Sequence, residues 1–502
     1  MIPSLRASSA TRTPSGPEAT SARSASARIR SRAASAARRL RRAGALAGRR
    51  VPPERVPCVD RERVITYSTV SKDSDRNKGA FTMPTAAEQA ASTASPEPPI
   101  DPYAPETVES PFAFYDWLRR EAPIFELARA GYRVVAPYAL VRETALAVED
   151  YSSNIVAVLT AHADSLPTLL DLTGMNPIVD VLATVDPPRH GAQRRLANQA
   201  FSVERVAALE ADVRARAERL VDAASASAAT DWLPALAVAL PMGTIVKLLG
   251  LPADDLERLR AWSDATVATV NGLLDADGFA AAAMQAIELA DYLRAHCAAA
   301  RRADRADLVG ELGRMVGDGP EQLSEDEVLS IVFQLFVAGN DSTTSLIASA
   351  LRLMVEDAAL QTELRARPER IPAFVEETLR LESPFQGHFR VARRDTVLGG
   401  QAIAAGTRLM LLWAAANRDA SVFPNPDAVD LDRPNLRNHL AFGVGIHHCI
   451  GATLARRQAQ IALEVALART AWLESAWSAP PSHVPSFFVR RLTSLPVTAR
   501  AR

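Results

Sequence analysis

The stretch that most restricts how this chain can fold is Phe442-Gly443-Val444-Gly445-Ile446-His447-His448-Cys449-Ile450-Gly451. Its glycines let the backbone turn tightly and lie close against a flat ligand. Directly after it, Ala452-Thr453-Leu454-Ala455-Arg456 opens a helical pattern that runs to Ala471. A helix start offers unpaired N–H groups and the positive end of a dipole, so the Cys449 thiolate is expected to be favoured over the thiol. The loop reads as a socket for a soft metal centre held through one sulfur. A lone cysteine is more often a small buried hydrophobe, and zinc is a second reading because His447 and His448 adjoin it. Zinc meets a geometric objection. Three consecutive residues cannot converge on one tetrahedral ion, and no CxxC or HxxxH partner occurs elsewhere.

F-G-x-G-x-H-x-C-x-G with a following L-A-R resembles the haem-binding loop of the cytochrome P450 family, the haem-thiolate monooxygenases. Every specified position from Phe442 to Gly451 fits. The resemblance implies that Cys449 is the proximal ligand to haem b iron and that His447 donates to a haem propionate. Phe442, Gly443 and Gly451 would shape the cradle. Thiolate ligation pushes electron density onto iron and favours O–O cleavage.

A second motif lies in a long apolar segment that begins near Ser324. Val328, Ile331, Val332, Leu335 and Phe336 recur at helical spacing, and Leu346, Ile347 and Leu351 continue it. Ala338-Gly339-Asn340-Asp341-Ser342-Thr343 interrupts that pattern with glycine and short polar side chains, which work against a helix interior. Rule-breaking inside a strong element marks function more often than accident. The string resembles the family's (A/G)-G-x-(D/E)-T, an acid–alcohol pair beside the oxygen-binding face of haem. By that resemblance Asp341 relays protons, and Ser342 with Thr343 supplies the hydroxyl. Serine stands where threonine is usual. It keeps the hydroxyl but loses the methyl that limits its rotamers, which bears on how well electrons are coupled to product.

Glu377-Thr378-Leu379-Arg380 lies on a helical stretch starting near Pro372 and ending before Pro384. Spacing i,i+3 puts both charges on one face. On a surface such a pair contributes about a few tenths of a kcal/mol. In the family, E-x-x-R is buried and completed by a later arginine, which Arg433 in Asp432-Arg433-Pro434 matches. Glu377, Arg380 and Arg433 are therefore expected to be scaffold. Asp186-Pro187-Pro188-Arg189-His190 resembles the family's D-P-P-x-H-x-x-x-R helix start, so His190 and Arg194 would face the propionates. Arg390 fits the propionate arginine that follows the E-x-x-R helix, a task suited to its bidentate fork.

The implied fold is mainly α with a small β region, a long central helix over haem and one catalytic domain, residues 98–502. Helical patterns cover Val203–Ala224, Thr244–Leu249, Ala253–Asn271 and Phe279–Arg302. Strand-like runs are Tyr132–Val135, Thr396–Leu398 and Thr407–Leu412. No apolar run approaches the roughly 18 residues of a membrane span. Three cysteines are too few for a disulfide framework and fit a reducing cytoplasm. Residues 1–97 form an Arg/Ser/Ala-rich leader expected to be disordered. Its first 82 residues carry 18 Lys+Arg against 6 Asp+Glu, so the whole chain's −1 hides a basic leader and an acidic body. A basic tail, a transit peptide or a true start at Met83 are the readings of that leader.

By resemblance, the substrate pocket draws on 152–184, 271–283 and 332–339, with Val332, Phe336, Ala338 and Gly339 named from the last. Phe385, Phe389 and Phe487 would complete it. An apolar lining implies a hydrophobic small molecule. The expected enzyme is a soluble, monomeric monooxygenase that hydroxylates its substrate with O2 and binds no nucleic acid. Ile450–Arg502 shows no flavin or iron–sulfur motif. Electrons would come from a separate ferredoxin fed by an NAD(P)H-dependent reductase, docking on a basic face at Arg194, Arg195, Arg456 and Arg457. The alternatives are a peroxide-driven peroxygenase, against which the Asp341–Ser342 pair speaks, and a non-catalytic haem-binding sensor.

Overall fold

Ser324 opens the longest helix of the protein, Glu325–Glu356. Its hydroxyl accepts from the Glu327 amide at 3.1 Å, and the Glu327 carboxylate accepts from the Ser324 amide at 2.7 Å. This reciprocal cap satisfies two orphan donors, and three acidic residues in the first turn favour the dipole. Thirty-two residues at 1.5 Å each make a rod of roughly 48 Å. Buried residues occur on every side of it, as expected of a helix through the middle of a core. Around it pack Ala239–Leu248, Leu256–Ala268, Ala276–Arg302, Ile371–Leu381 and Ala452–Arg469. Trp232, Leu236, Leu240, Phe336 and Phe374 belong to one shared apolar cluster. The computed structural model describes residues 98–502 except 128–129, 155–156, 163–164, 172–178, 228, 271–272 and 502. The leader 1–97, with Met83 and Cys58, lies outside the described residues.

Most predicted elements recur with shifted ends, and each shift has a local cause. The helix expected from Phe279 begins at Ala276, because the Asp275 carboxylate caps it by accepting from the Gly278 amide at 2.7 Å. The cysteine helix stops at Arg469, where Thr470 turns extended and starts the strand Thr470–Ser475. Ala471 is therefore in a strand, paired antiparallel with Pro496–Ala501. The hairpin Ala157–His162/Ser165–Asp171, inside the expected pocket segment 152–184, was not foreseen.

A five-stranded sheet forms the β region, in the order Ile124–Leu127, Tyr132–Val135, Arg408–Leu411, His388–Ala392, Tyr151–Ser152. Arg408–Leu411 runs parallel to Tyr132–Val135 and antiparallel to His388–Ala392, with Leu409 opposite Arg390. Among the described residues no helix is long and apolar enough to cross a membrane.

Two adjacent glutamates on Ile371–Leu381 tie the sheet side of the molecule to the cysteine helix. Glu377 and Arg380 are fully buried and Arg433 is 3% exposed. Arg380 donates to both oxygens of Glu377, at 2.7 and 2.9 Å, while Arg433 Nε donates at 3.1 Å. The Asp430 amide adds a fourth bond at 2.9 Å. The remaining guanidinium hydrogens reach carbonyls of Asn417, Pro424 and Ala428, so the long connection before the cysteine loop is pinned. Glu376 faces the other way. It accepts from Arg456 of the cysteine helix at 2.7 and 3.0 Å and from His439 Nε2 at 2.9 Å.

Removing Glu377 would strand two buried guanidiniums without a counter-charge. Glu377→Ala is expected to cost about 3–5 kcal/mol in denaturant unfolding; an unchanged midpoint contradicts the reading. For Glu376, burial alone would raise the carboxyl, but His439 and Arg456 outweigh it and hold it down at about 2, against 4.5 ordinarily. A carboxyl depressed in the folded state stabilises above its unfolded value and loses that stabilisation as pH falls through its folded value. Glu376→Gln should therefore be less stable than the parent at pH 7, and the gap should close between pH 4.5 and about 2. A constant gap across that range would contradict the ion pairing.

Candidate functional site

The cysteine loop is built on two left-handed glycines, Gly443 at φ 68° and Gly445 at φ 75°, flanking Val444. A side chain at Gly445 would also stand 2.9 Å from Leu146 Cδ2. Cys449 closes the loop by donating its amide to Phe442 O at 2.9 Å. Arg456 covers the Phe442 ring, 4.4 Å from its centroid. Gly451 precedes the helix, and a Cβ there would stand 3.8 Å from the Cys449 sulfur. Cys449 is exposed by area, yet protein packs closely enough around it that burial dominates its titration. Burial pushes the thiol up, while the Gly451 and Ala452 amides, Arg194 and Arg456 pull it down less strongly. The Gly451 and Ala452 amides act in the direction expected of a helix start, and burial opposes them. A bound metal cation would favour the thiolate further.

Four basic side chains gather nearby without a partner anion. His190, 3% exposed, lies with its ring 4.4 Å from that of His447. Both Nε2 atoms are buried and unpartnered. His447 Nδ1 lies 3.0 Å from the Leu182 carbonyl, which accepts its proton. Nε2 of His447 can then donate only from the charged ring, and burial followed by Arg390 and His190 pushes that ring down to about 4. Arg390 is 6% exposed and, like Arg194, makes no ion pair among the described residues. Burial pushes Arg390 down to about 10. Two arginines and two imidazoles in one place, with no carboxylate ion-paired to them among the described residues, fit a dianionic ligand. An accessible sulfur beside them fits a ligand with a metal at its centre.

The central helix carries the acid–alcohol string. Ala338 is exposed, and Gln334, Val337, Gly339 and Ser342 are partly accessible, in a helix otherwise largely buried at that level. Val332 and Phe336, expected in the lining, are fully buried core residues and present no surface. Thr343 is likewise 2% exposed, one residue further round the helix than Ser342, and so does not share its face. Asp341 is 2% exposed. Its Oδ1 accepts from Arg491 at 2.6 Å, while Oδ2 is buried and unpartnered. Burial raises the carboxyl and Arg491 only partly offsets it. Ser342 donates to the Ala338 carbonyl at 2.6 Å, one turn back.

Of the expected aromatic lining, Phe385 packs with His388 and Phe488 at 5.4 Å each. Phe389 meets Tyr132 edge-on, and Phe487 meets Tyr103, both at 5.2 Å within the N-terminal apolar cluster. The expected basic docking face needs correction. Arg456 turns inward to Glu376, Arg457 pairs with Glu210 and Glu464, and Arg195 pairs with Glu321. Of that quartet only Arg194 is without a carboxylate partner among the described residues. Arg491 and Asp264 were missed. Arg491 donates to Asp264 at 3.0 Å as well as to Asp341, linking the interior acid to a half-exposed one. Its only sequence signal is a charged pair, Arg490-Arg491, in an apolar late segment.

Comparison with known proteins accords with this geometry. The Cytochrome P450 family profile matches residues 369–490. Cytochrome P450 144 of Mycobacterium tuberculosis is 34% identical over 397 residues, 78% of this chain and 90% of that protein. Mycinamicin IV hydroxylase/epoxidase of Micromonospora griseorubida is 39% identical over 292 residues, 57% of this chain and 72% of that protein. The solved structure of cytochrome P450 CREJ in complex with (4-ethylphenyl) dihydrogen phosphate superposes with a TM-score of 0.74. It is 30% identical and covers 80% of this chain and all of that one (100%). The chain belongs to the cytochrome P450 family, as a monooxygenase whose cofactor is haem b.

Proposed function

We propose that residues 98–502 form a catalytic domain that hydroxylates a hydrophobic small molecule, drawing electrons from a separate ferredoxin and its NAD(P)H-dependent reductase in the cytoplasm. The observation that carries the reading is the buried Asp341, with one carboxylate oxygen unpartnered, beside the accessible stripe of the central helix. Thiolate-bound haem, when present, supplies the O2 activation and the oxygen insertion. Cys449 would hold the iron. His190, Arg194, Arg390 and His447 would hold the two carboxylates, which supply the missing counter-charge.

The chain's own residues account for proton handling. Asp341 has one oxygen on Arg491 and one free, and its raised pKa suits a group that must take up and release a proton. Arg491 shares its guanidinium with Asp264, so it can shift between an inner and an outer carboxylate. Paired to Asp264, the guanidinium keeps its charge while Asp341 is left free to take up a proton. Ser342 spends its hydroxyl hydrogen on Ala338 O and leaves its lone pairs toward the helix face. Gly339 lets the helix pack closely on Ile245, where a Cβ would stand 3.4 Å from Ile245 Cδ1. One relative is named a mycinamicin IV hydroxylase/epoxidase, and the CREJ complex holds (4-ethylphenyl) dihydrogen phosphate. Both names support an organic molecule as substrate.

Asp341→Asn keeps the shape and removes the titration. Product formed with added ferredoxin and reductase is expected to fall about 100-fold, with haem content unchanged. Parent-like turnover would contradict the proton role. Haem binding by the parent with no turnover across a broad substrate panel would favour the sensor.

A further inference from the structure

The strand His388–Ala392 points two side chains, not one, toward the basic cluster. His388 and Arg390 are two residues apart, so both leave the same face of the sheet. Phe389 between them goes to the other face, against Tyr132. Trp413, 2% exposed, donates its indole N–H to His388 Nδ1 at 2.7 Å. An indole nitrogen can only donate, so Nδ1 is the accepting nitrogen and a neutral ring carries its proton on Nε2. Phe385 and Phe488 hold the ring from its sides, at 5.4 and 5.2 Å. Burial, then Arg390 and His447, pushes the ring down to about 3, so it is neutral at pH 7. No described residue accepts from Nε2, and the side chain is only partly buried.

We propose that His388 is a further donor to the haem carboxylates through Nε2–H, with Trp413 as the positioning residue that fixes the donating tautomer. The assignment rests on the reading that His190, Arg194, Arg390 and His447 hold those carboxylates. A neutral donor suits this place. It adds a hydrogen bond to an anion without adding another positive charge to an already crowded cluster.

The test is the rate at which the haem-loaded protein gives up haem to excess apomyoglobin, followed by absorbance at pH 7. His388→Phe should speed the transfer about tenfold, the scale of one hydrogen bond to a charged group. His388→Gln, which keeps a donor, should restore part of the difference. Trp413→Phe should move the rate in the same direction as His388→Phe by a smaller factor; if it fails to fold, the His388 pair decides alone. Arg390→Leu serves as the control for the cluster. An unchanged rate in His388→Phe, with Arg390→Leu accelerated, overturns the proposal and leaves the cluster standing. The proposal is equally overturned if His388→Phe changes only the substrate-induced Soret shift, since the ring then faces substrate. If Arg390→Leu has no effect either, the carboxylate reading of the cluster falls with it.

Discussion

A carboxylate buried between two guanidiniums, Glu377 between Arg380 and Arg433, is the constraint on which the rest of the site depends. Its two oxygens accept four hydrogen bonds, three of them from guanidiniums. Burying three charges is costly, and only geometry this complete offsets it. What the arrangement secures is position. It fastens the irregular chain around 417–433 to the Ile371–Leu381 helix, and Glu376 next door fastens that helix to the one that follows Cys449. The cysteine loop is thus held from both of its ends by neighbouring glutamates facing opposite ways.

The interior is electrostatically incomplete on one side and sensitive on the other. Near Cys449, the two histidines and two arginines carry a desolvation penalty that Asp186 relieves only in part for His190, Arg390 and His447. A dianionic haem reverses that balance, so cofactor binding and the stability of this region should be strongly coupled. Near the central helix the sign is opposite. Asp341 is a desolvated acid with a single arginine, and that arginine is shared. The first environment is suited to holding a ligand; the second is suited to moving a proton.

How much of this was legible in the sequence depended on the range of the interaction. The cysteine loop, the Glu377–Arg380 pair and the start of the long helix near Ser324 are local spacings, and each stands where its spacing implied. The direction of a helix face was only partly legible. Val332 and Phe336 share the central helix with Ala338, but their apolar character could not say which side stayed accessible and which met the core. Pairing across the chain was invisible. Arg491 reaches Asp341 over 150 positions, and Arg456 and Arg457 looked like surface charge until Glu376, Glu210 and Glu464 were brought to them. The Cys449 thiol shows the same division between near and far. The dipole that favours the thiolate is local, whereas the desolvation that opposes it comes from everything packed around the loop.

The central claim is that one sulfur of this chain binds the haem iron. Iron X-ray absorption of the ferric, haem-loaded protein tests it most directly. The account predicts one sulfur scatterer on iron in the parent and none in Cys449→Ser. A parent spectrum with only nitrogen and oxygen neighbours, or a sulfur that persists in Cys449→Ser, would contradict it.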